Sequence, residues 1–231
     1  MPLLTPRRRQ GREYLDDPVI NARVAERSME DVARSNALFG GAHAVLAELD
    51  DLFAAQVSFT LLDVGTGLGD IPARVRARAG RHGITVETVG LDASETLAVV
   101  ARDGALPVVR ADALRLPIAD RAFDVALCSQ LLHHFRREDG LVLLRELDRV
   151  ARRRVIVADI RRSWLAAAGI WLASWPLRFH PVSRHDGVVS VLRGFTPHEL
   201  GEAVRSAVGV MPRVRRHRGF RVTASWTPSA A

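Results

Sequence analysis

The side chains with the most chemical potential in this chain stand just after short apolar runs. The first group is Asp63-Val64-Gly65-Thr66-Gly67-Leu68-Gly69, which follows Phe59-Thr60-Leu61-Leu62. Each glycine removes a Cβ where the backbone must turn sharply or meet a ligand. A helical pattern begins immediately afterwards, so its free N–H groups and positive end face the same place. Something anionic or polar belongs there. The G-x-G-x-G spacing puts the third glycine one residue early for the dinucleotide fingerprint, and no P-loop lysine follows. A carboxylate two residues before the first glycine would repel a pyrophosphate but suits a ligand carrying a positive group. Asp92 closes the run Val89-Gly90-Leu91, and Asp112 follows Val108-Val109-Arg110. A fourth run ends in Ser129-Gln130 and leads to His133-His134, and a fifth contains Asp159. Neighbouring histidines point about 100° apart on a helix, and no third ligand accompanies them at a metal-site spacing. No metal site is expected. His133 and Asp159 would meet if the fourth and fifth runs were adjacent strands. A histidine oriented by a carboxylate can act as a general base, because the unperturbed imidazole pKa lies close to neutrality. The alternative is that either histidine only packs against a cofactor.

These residues need elements to hold them. Apolar runs of β-branched residues alternate with helical segments from residue 59 onward. Strands are expected at 59–65, 84–92, 107–112, 123–129 and 154–160, with helices at 70–80, 94–104 and 140–151 between them. Buried strands alternating with helices imply a parallel sheet with helices on both faces, an α/β fold. Ligands of such sheets bind at the carboxyl ends of the strands, where every residue named above falls. Thr196, Pro197 and Glu199 predict a capped helix, with Glu199 as the returning carboxylate of a capping box. Two last strands, near 210–217 and 219–226, form a hairpin. Upstream, residues 19–37 and 42–53 read as two helices broken by Phe39-Gly40-Gly41.

An acidic residue followed by G-x-G-x-G at the end of the first strand resembles the class I S-adenosylmethionine-dependent methyltransferases. The resemblance is strong over residues 59–160. It implies a Rossmann-like, doubly wound, seven-stranded, mostly parallel sheet with a C-terminal antiparallel hairpin and N-terminal helices. It implies S-adenosyl-L-methionine as cofactor. In that family the glycine loop, here Asp63, Gly65, Thr66, Gly67 and Gly69, cradles the methionine part. Asp92 with Ala93 then falls at the ribose, Asp112 and Ala113 at the adenine, and Ser129, Gln130 and His134 around the methionine pocket. The Leu131-Leu132-His133-His134 stretch is similar to small-molecule O-methyltransferases in which a His–Asp pair deprotonates a hydroxyl. The family places its substrate cover at the N-terminus and in the insert after the fifth strand. Two domains result: a helical extension over 1–58 and the methyltransferase domain over 59–231, with an apolar insert at 161–194.

That insert is the least ordinary part of the chain. Trp164–Leu177 holds no charged residue and three of the four tryptophans. It is too short to span a bilayer, so no transmembrane span is expected. A buried helix, an apolar lid over a hydrophobic acceptor, and a membrane-interface contact are three readings. Arg184-His185-Asp186-Gly187 reads as a turn or as a polar edge for an acceptor. Tyr14, Trp164, His180, Arg184 and His185 are the candidate acceptor contacts. Residues 1–18 are expected to be flexible, with 13–18 able to order over a ligand.

Composition fits an intracellular globular protein. Apolar residues make up 48% of the chain, enough for a globular core, and the lone Cys128 excludes an internal disulfide framework. No secretion signal is evident, which makes the cytoplasm the expected location. The net charge is +7, yet lysine is absent and all 33 basic residues are arginines. They are scattered, and aromatic residues do not interleave with their clusters as a base-stacking surface would require. A small-molecule partner is favoured over nucleic acid; the oligomeric state is open. The preferred function is methyl transfer to a small, apolar, hydroxylated acceptor, O-methylation being favoured by the His–Asp pair alone. A nucleic-acid methyltransferase, a non-catalytic module that keeps the fold, and a nicotinamide oxidoreductase are the rivals. The Asn/Asp-Pro-Pro-aromatic tetrad of base-amino methyltransferases is missing after the fourth run.

Overall fold

The computed structural model describes residues 5–17, 19–94, 97 and 106–229. The helix expected at 94–104 lies largely outside them. Among the described residues, seven strands form one sheet in the order β3-β2-β1-β4-β5-β7-β6. These are β1 Phe59–Val64, β2 Val86–Asp92, β3 Val108–Arg110, β4 Phe123–Ser129, β5 Ala151–Ile160, β6 Arg213–His217 and β7 Arg221–Trp226. The first five run parallel, and β7 pairs antiparallel with both β5 and β6. The sheet is the Rossmann-like arrangement that the sequence implies.

Successive strand residues face opposite sides, and that alternation builds two cores. Leu62, Val64, Cys128 and Val157 pack with Leu143, Leu144 and Leu147 of α4 (Arg137–Val150) and with Leu200 and Val204 of α7 (Pro197–Val208). Leu61, Leu127 and Ile156 face the other way. They meet Val45, Leu49 and Phe53 of α2 (Gly41–Ala54) and Ile71 and Val75 of α3 (Asp70–Arg81). Burial of one such leucine is worth roughly 1.5–3 kcal/mol. The helix α2 therefore shares the core of the sheet, whereas α1 (Ala22–Leu38) buries only Ser28, Asp31 and Asn36. It starts three residues later than its apolar pattern suggests, because the Asn21 side chain caps it by accepting from Arg23 N–H at 3.0 Å. The capping box of α7 forms as expected, with Thr196 and Glu199 each accepting from the other's backbone N–H.

The insert folds as two helices, α5 (Trp164–Ser174) and α6 (Pro181–Arg193). This corrects two expectations. Residues 184–187 are helical rather than a turn. Pro181 at the first turn and His180 as N-cap start a helix there, and the buried Asp186 caps a different segment. Its two carboxylate oxygens accept from Tyr14 N–H at 2.9 Å and Leu15 N–H at 3.0 Å. The 164–177 stretch is also not a buried helix, since Trp164, Trp171, Leu172 and Trp175 are all exposed. Residues 5–17, expected to be flexible, are instead strapped to the insert. Arg162 donates to Pro6 C=O at 2.8 Å, and Arg9 N–H donates to Leu192 C=O at 3.1 Å.

Candidate active site

The carboxyl ends of β1, β2 and β4 are pinned together by the glycine turn. Gly65, Gly67 and Gly69 have φ of 76°, 54° and 76°, the left-handed region open to glycine. A Cβ at Gly65 would lie 2.7 Å from Leu131, and one at Gly67 would lie 2.7 Å from Met29 of α1. Gly65 N–H and Thr66 N–H both donate to Leu91 C=O, tying the turn to β2. Gly67 N–H donates to one Asp92 oxygen and Ser94 N–H to the other, each at 2.9 Å. Each carboxylate oxygen has two lone pairs, so these bonds leave Asp92 able to accept further.

Asp63 is buried beneath this turn. Thr66 donates its hydroxyl to one Asp63 oxygen at 2.9 Å, while the other oxygen has no partner. Burial lifts its pKa to about 7, with Asp70 and Asp92 adding to the rise and Thr66 opposing it. Ser129 Oγ and His133 Nε2 are likewise buried and unpaired. A native interior rarely leaves such groups unsatisfied, so three of them at adjoining strand ends mark a place that polar ligands complete.

His133 sits on a short 3-10 turn, Leu132–His134, and meets the end of β5. Its Nδ1 lies 2.7 Å from Asp159 Oδ1, and its backbone N–H donates to Asp159 Oδ2 at 3.1 Å. Ile160 N–H also donates to Asp159 at 2.7 Å. Burial raises the Asp159 pKa, but His133 and this N–H outweigh it and hold the carboxyl below its ordinary value. An ionised Asp159 accepts, so Nδ1 carries the proton and Nε2 presents its lone pair. The second histidine is turned elsewhere. His134 Nδ1 lies 2.8 Å from Asp16; burial lowers its pKa, and Asp16 with Glu13 more than reverses that.

Residues 62–158 match a protein family described as a methyltransferase domain. The fold agrees with solved structures at low sequence identity. A S-adenosylmethionine-dependent methyltransferase from Aquifex aeolicus is 18% identical, with 81% of this chain and 89% of that one covered and a TM-score of 0.58. The magnesium protoporphyrin IX methyltransferase of Synechocystis PCC 6803, solved with bound S-adenosylhomocysteine, is 15% identical over 86% of this chain and 84% of that one, with a TM-score of 0.56. Nothing among curated proteins matches this sequence. Residues 62–158 are a methyltransferase domain, and the fold around them is that of S-adenosylmethionine-dependent methyltransferases.

The methyltransferase's own residues fit that cofactor. Its glycine turn keeps Cβ atoms off Gly65, Gly67 and Gly69, with the Leu131 and Met29 side chains packed against the first two, and the unpaired Asp63 oxygen suits an ammonium. Asp112 is exposed and accepts from Leu114 N–H at 2.9 Å, while Ala113 is buried in the core beside it. Gln130 has φ 53° and accepts from Arg221 at 2.6 Å. It also donates to Asn36, whose amide reaches Asp70 at the start of α3. Thus α1 stands as a partition: Met29 faces the glycine turn, and Asp31, Val32 and Ser35 face a cavity on its other side.

This cavity measures about 290 Å³ and lies between α1, α5, α6 and the start of β7. Its walls are mainly apolar, with Ile160, Leu165, Ile170, Phe179 and Phe220 among them. Buried Glu13, Asp31 and Asp186, with Arg221, supply its polar edge. Desolvation lowers the Arg221 guanidinium to about 10, partly offset by Asp159. The five side chains expected at the acceptor are not on the cavity wall. Tyr14 stacks on His185 at 4.5 Å, Arg184 lies 3.8 Å over Trp175, His180 caps α6, and Trp164 packs under Arg9 at 5.5 Å. Each neighbours a lining residue in sequence, one position off.

Glu13 is the residue that sequence reasoning missed. It is 3% exposed and accepts from Ser190 and Arg193, each at 2.9 Å. Its carboxylate also approaches His133 Nε2 and His134 Nε2, both at 3.8 Å. Sequence spacing offers the histidines no third ligand, but folding brings Glu13 beside them, with the ligand atoms of all three within 4.8 Å of one another. The Arg193 guanidinium already neutralises Glu13, so a cation would have to displace or tolerate it. Cys128 offers no nucleophile: burial, with Asp159 and Asp63, raises its thiol pKa well above the ordinary value.

Proposed function

We propose that this methyltransferase methylates a hydroxyl of a small, apolar acceptor, with His133 as general base and Asp159 as its orienting carboxylate. The observation that carries the reading is the buried His133 Nε2, without a hydrogen-bond partner, with Nδ1 2.7 Å from Asp159. S-adenosylmethionine, when bound, supplies an electrophilic methyl group on a sulfonium. Asp63, Gly65, Thr66, Gly67, Gly69, Asp92, Ala93, Asp112, Ala113, Ser129 and Gln130 are the residues proposed to hold it, whereas His134 is engaged by Asp16. His133 Nε2 takes the acceptor's proton, and Asp159 stabilises the resulting imidazolium. A base of this kind adds about 10²–10⁴-fold; alignment in a dry site supplies much of the remainder.

The cavity supports a small apolar acceptor, being at the lower end of ligand-pocket volumes, about 300–1,000 Å³. His133 is not itself on the cavity wall, but Glu13, which lines the cavity, lies 3.8 Å from His133 Nε2; residues 1–58 together with 161–194 would then act as the acceptor's cover. Members of the basic clusters are engaged internally: Arg154 with Asp51, Arg8 with Arg193 C=O, and Arg215 with Ala47 C=O. That weakens a nucleic-acid reading. The test is mass spectrometry with S-adenosylmethionine and a panel of apolar phenols and their non-hydroxylated analogues. Methylation of the phenols, lost in His133→Ala, is the expected result. Methylation on carbon or nitrogen that survives His133→Ala would overturn O-methylation by this base.

A further inference from the structure

We infer that α5 is a docking element for an anionic lipid surface, which sets the cavity mouth against the membrane. It deepens the acceptor reading above by making the acceptor lipid-dissolved, but the docking claim itself does not need that reading.

The observation is an inverted surface helix. Trp164, Leu165, Ala168, Gly169, Trp171 and Leu172 are exposed, and Trp175 and Pro176 continue the stripe. They recur three and four apart, along one side of the helix. Trp171 is 48% exposed, Leu172 61% and Trp175 53%. A helix facing water carries its polar residues on this side, yet no charged residue occurs from Ser163 to Leu177. The inward side, Ala166 and Ala167, is apolar as well. Exposed apolar surface of this extent marks a contact site.

Charge selects the occupant. Arg9 lies over the Trp164 ring, Arg184 over the Trp175 ring, and exposed Arg178 follows the stripe directly. The insert's one acid, Asp186, is buried and saturated by backbone N–H groups. An apolar stripe with tryptophans, bordered by Arg9, Arg178 and Arg184, fits the interface of an anionic bilayer. Two copies of this chain meeting here would bring two arginine-rimmed faces together, which like-charge repulsion opposes. The stripe also borders the cavity, because Leu165 and Gly169 are exposed and line it as well. An acceptor partitioned in lipid would enter there without crossing water. No described helix is long and apolar enough to cross a membrane, so docking is peripheral.

The experiment is co-sedimentation of the full chain with phosphatidylcholine vesicles, with and without about one third phosphatidylglycerol. Binding to the anionic vesicles is expected, weaker at high salt, with a blue shift of tryptophan emission. Trp171→Ser combined with Leu172→Ser should weaken it roughly tenfold or more. These positions are exposed and outside the cavity wall, so folding and methylation of a water-soluble acceptor should persist. Absence of binding by the unmodified chain, or equal binding by the double variant, overturns the proposal. So does a dimer in gel filtration that the double variant dissolves while vesicles bind nothing. Vesicle binding is read without acceptor or cofactor, so its failure is distinct from a failure of O-methylation.

Discussion

Buried acids at two places along the sheet have surroundings that differ in kind. Where α2 and α4 meet β7, the acids are saturated. Glu48 accepts from Thr223 at 2.7 Å and Ser225 at 3.0 Å, while Asp148 accepts from Trp226 and both donors of Ser229. Burial raises the Glu48 pKa, but His217, Thr223, Ser225 and Arg215 outweigh it and leave it at about 2. At the carboxyl ends of β1, β4 and β5, Asp63 keeps an empty oxygen and a pKa near 7, and Ser129 and His133 keep unpaired atoms. One region is finished by its own chain. The other leaves three buried atoms without a hydrogen-bond partner at adjoining strand ends, where a polar ligand fits.

Four measurements test that contrast. The largest effect is expected at the histidine. His133→Ala should lower kcat about 10²–10⁴-fold at saturating acceptor while binding S-adenosylhomocysteine normally in calorimetry; a kcat within a few-fold removes the base. Glu48→Ala should strand two buried hydroxyls, of Thr223 and Ser225, and destabilise the fold by about 3 kcal/mol in denaturant titration. At neutral pH a loss near zero would show that the β7 network is not structural. The Glu48 contribution is present above its unfolded value of 4.5 and should disappear as pH falls through about 2.

Gly67→Val comes next, with a Cβ forced toward Met29 at a positive φ. Such strain costs about 1–3 kcal/mol, so S-adenosylhomocysteine affinity should drop roughly 5–150-fold with the fold retained. The smallest effect concerns Asp63. Its folded pKa is raised, so the ligand-free protein holds the extra proton and loses stability as pH climbs from about 4 to about 7. A cationic ligand needs the ionised form. Cofactor affinity should therefore fall about tenfold for each pH unit below 7, and Asp63→Asn should flatten both trends.

Local backbone demands were legible without coordinates. Three glycines at alternate positions after an apolar run admit few conformations, and the turn at Gly65–Gly69 is the one they specify. His133 and Asp159 could be paired because the order of parallel strands follows from right-handed crossovers. Glu13, Asp31 and Asp186 could not be placed, since their partners stand well over a hundred positions away and leave no periodic trace. Asp186-Gly187 misled for a related reason. A turn signal is local, and here the carboxylate was needed by the backbone of residues 14–15.

By itself, then, the amino-acid order determined the sheet, the glycine turn and the acids along its edge, because hydrogen-bonded periodicity and steric freedom act over a few residues. Tertiary structure alone decided which carboxylate covers His133, which walls enclose the cavity, and which side of the tryptophan helix faces outward. Those outcomes depend on packing among segments distant in the chain, where the deciding contact is set by shape and by whichever buried polar group still lacks a partner.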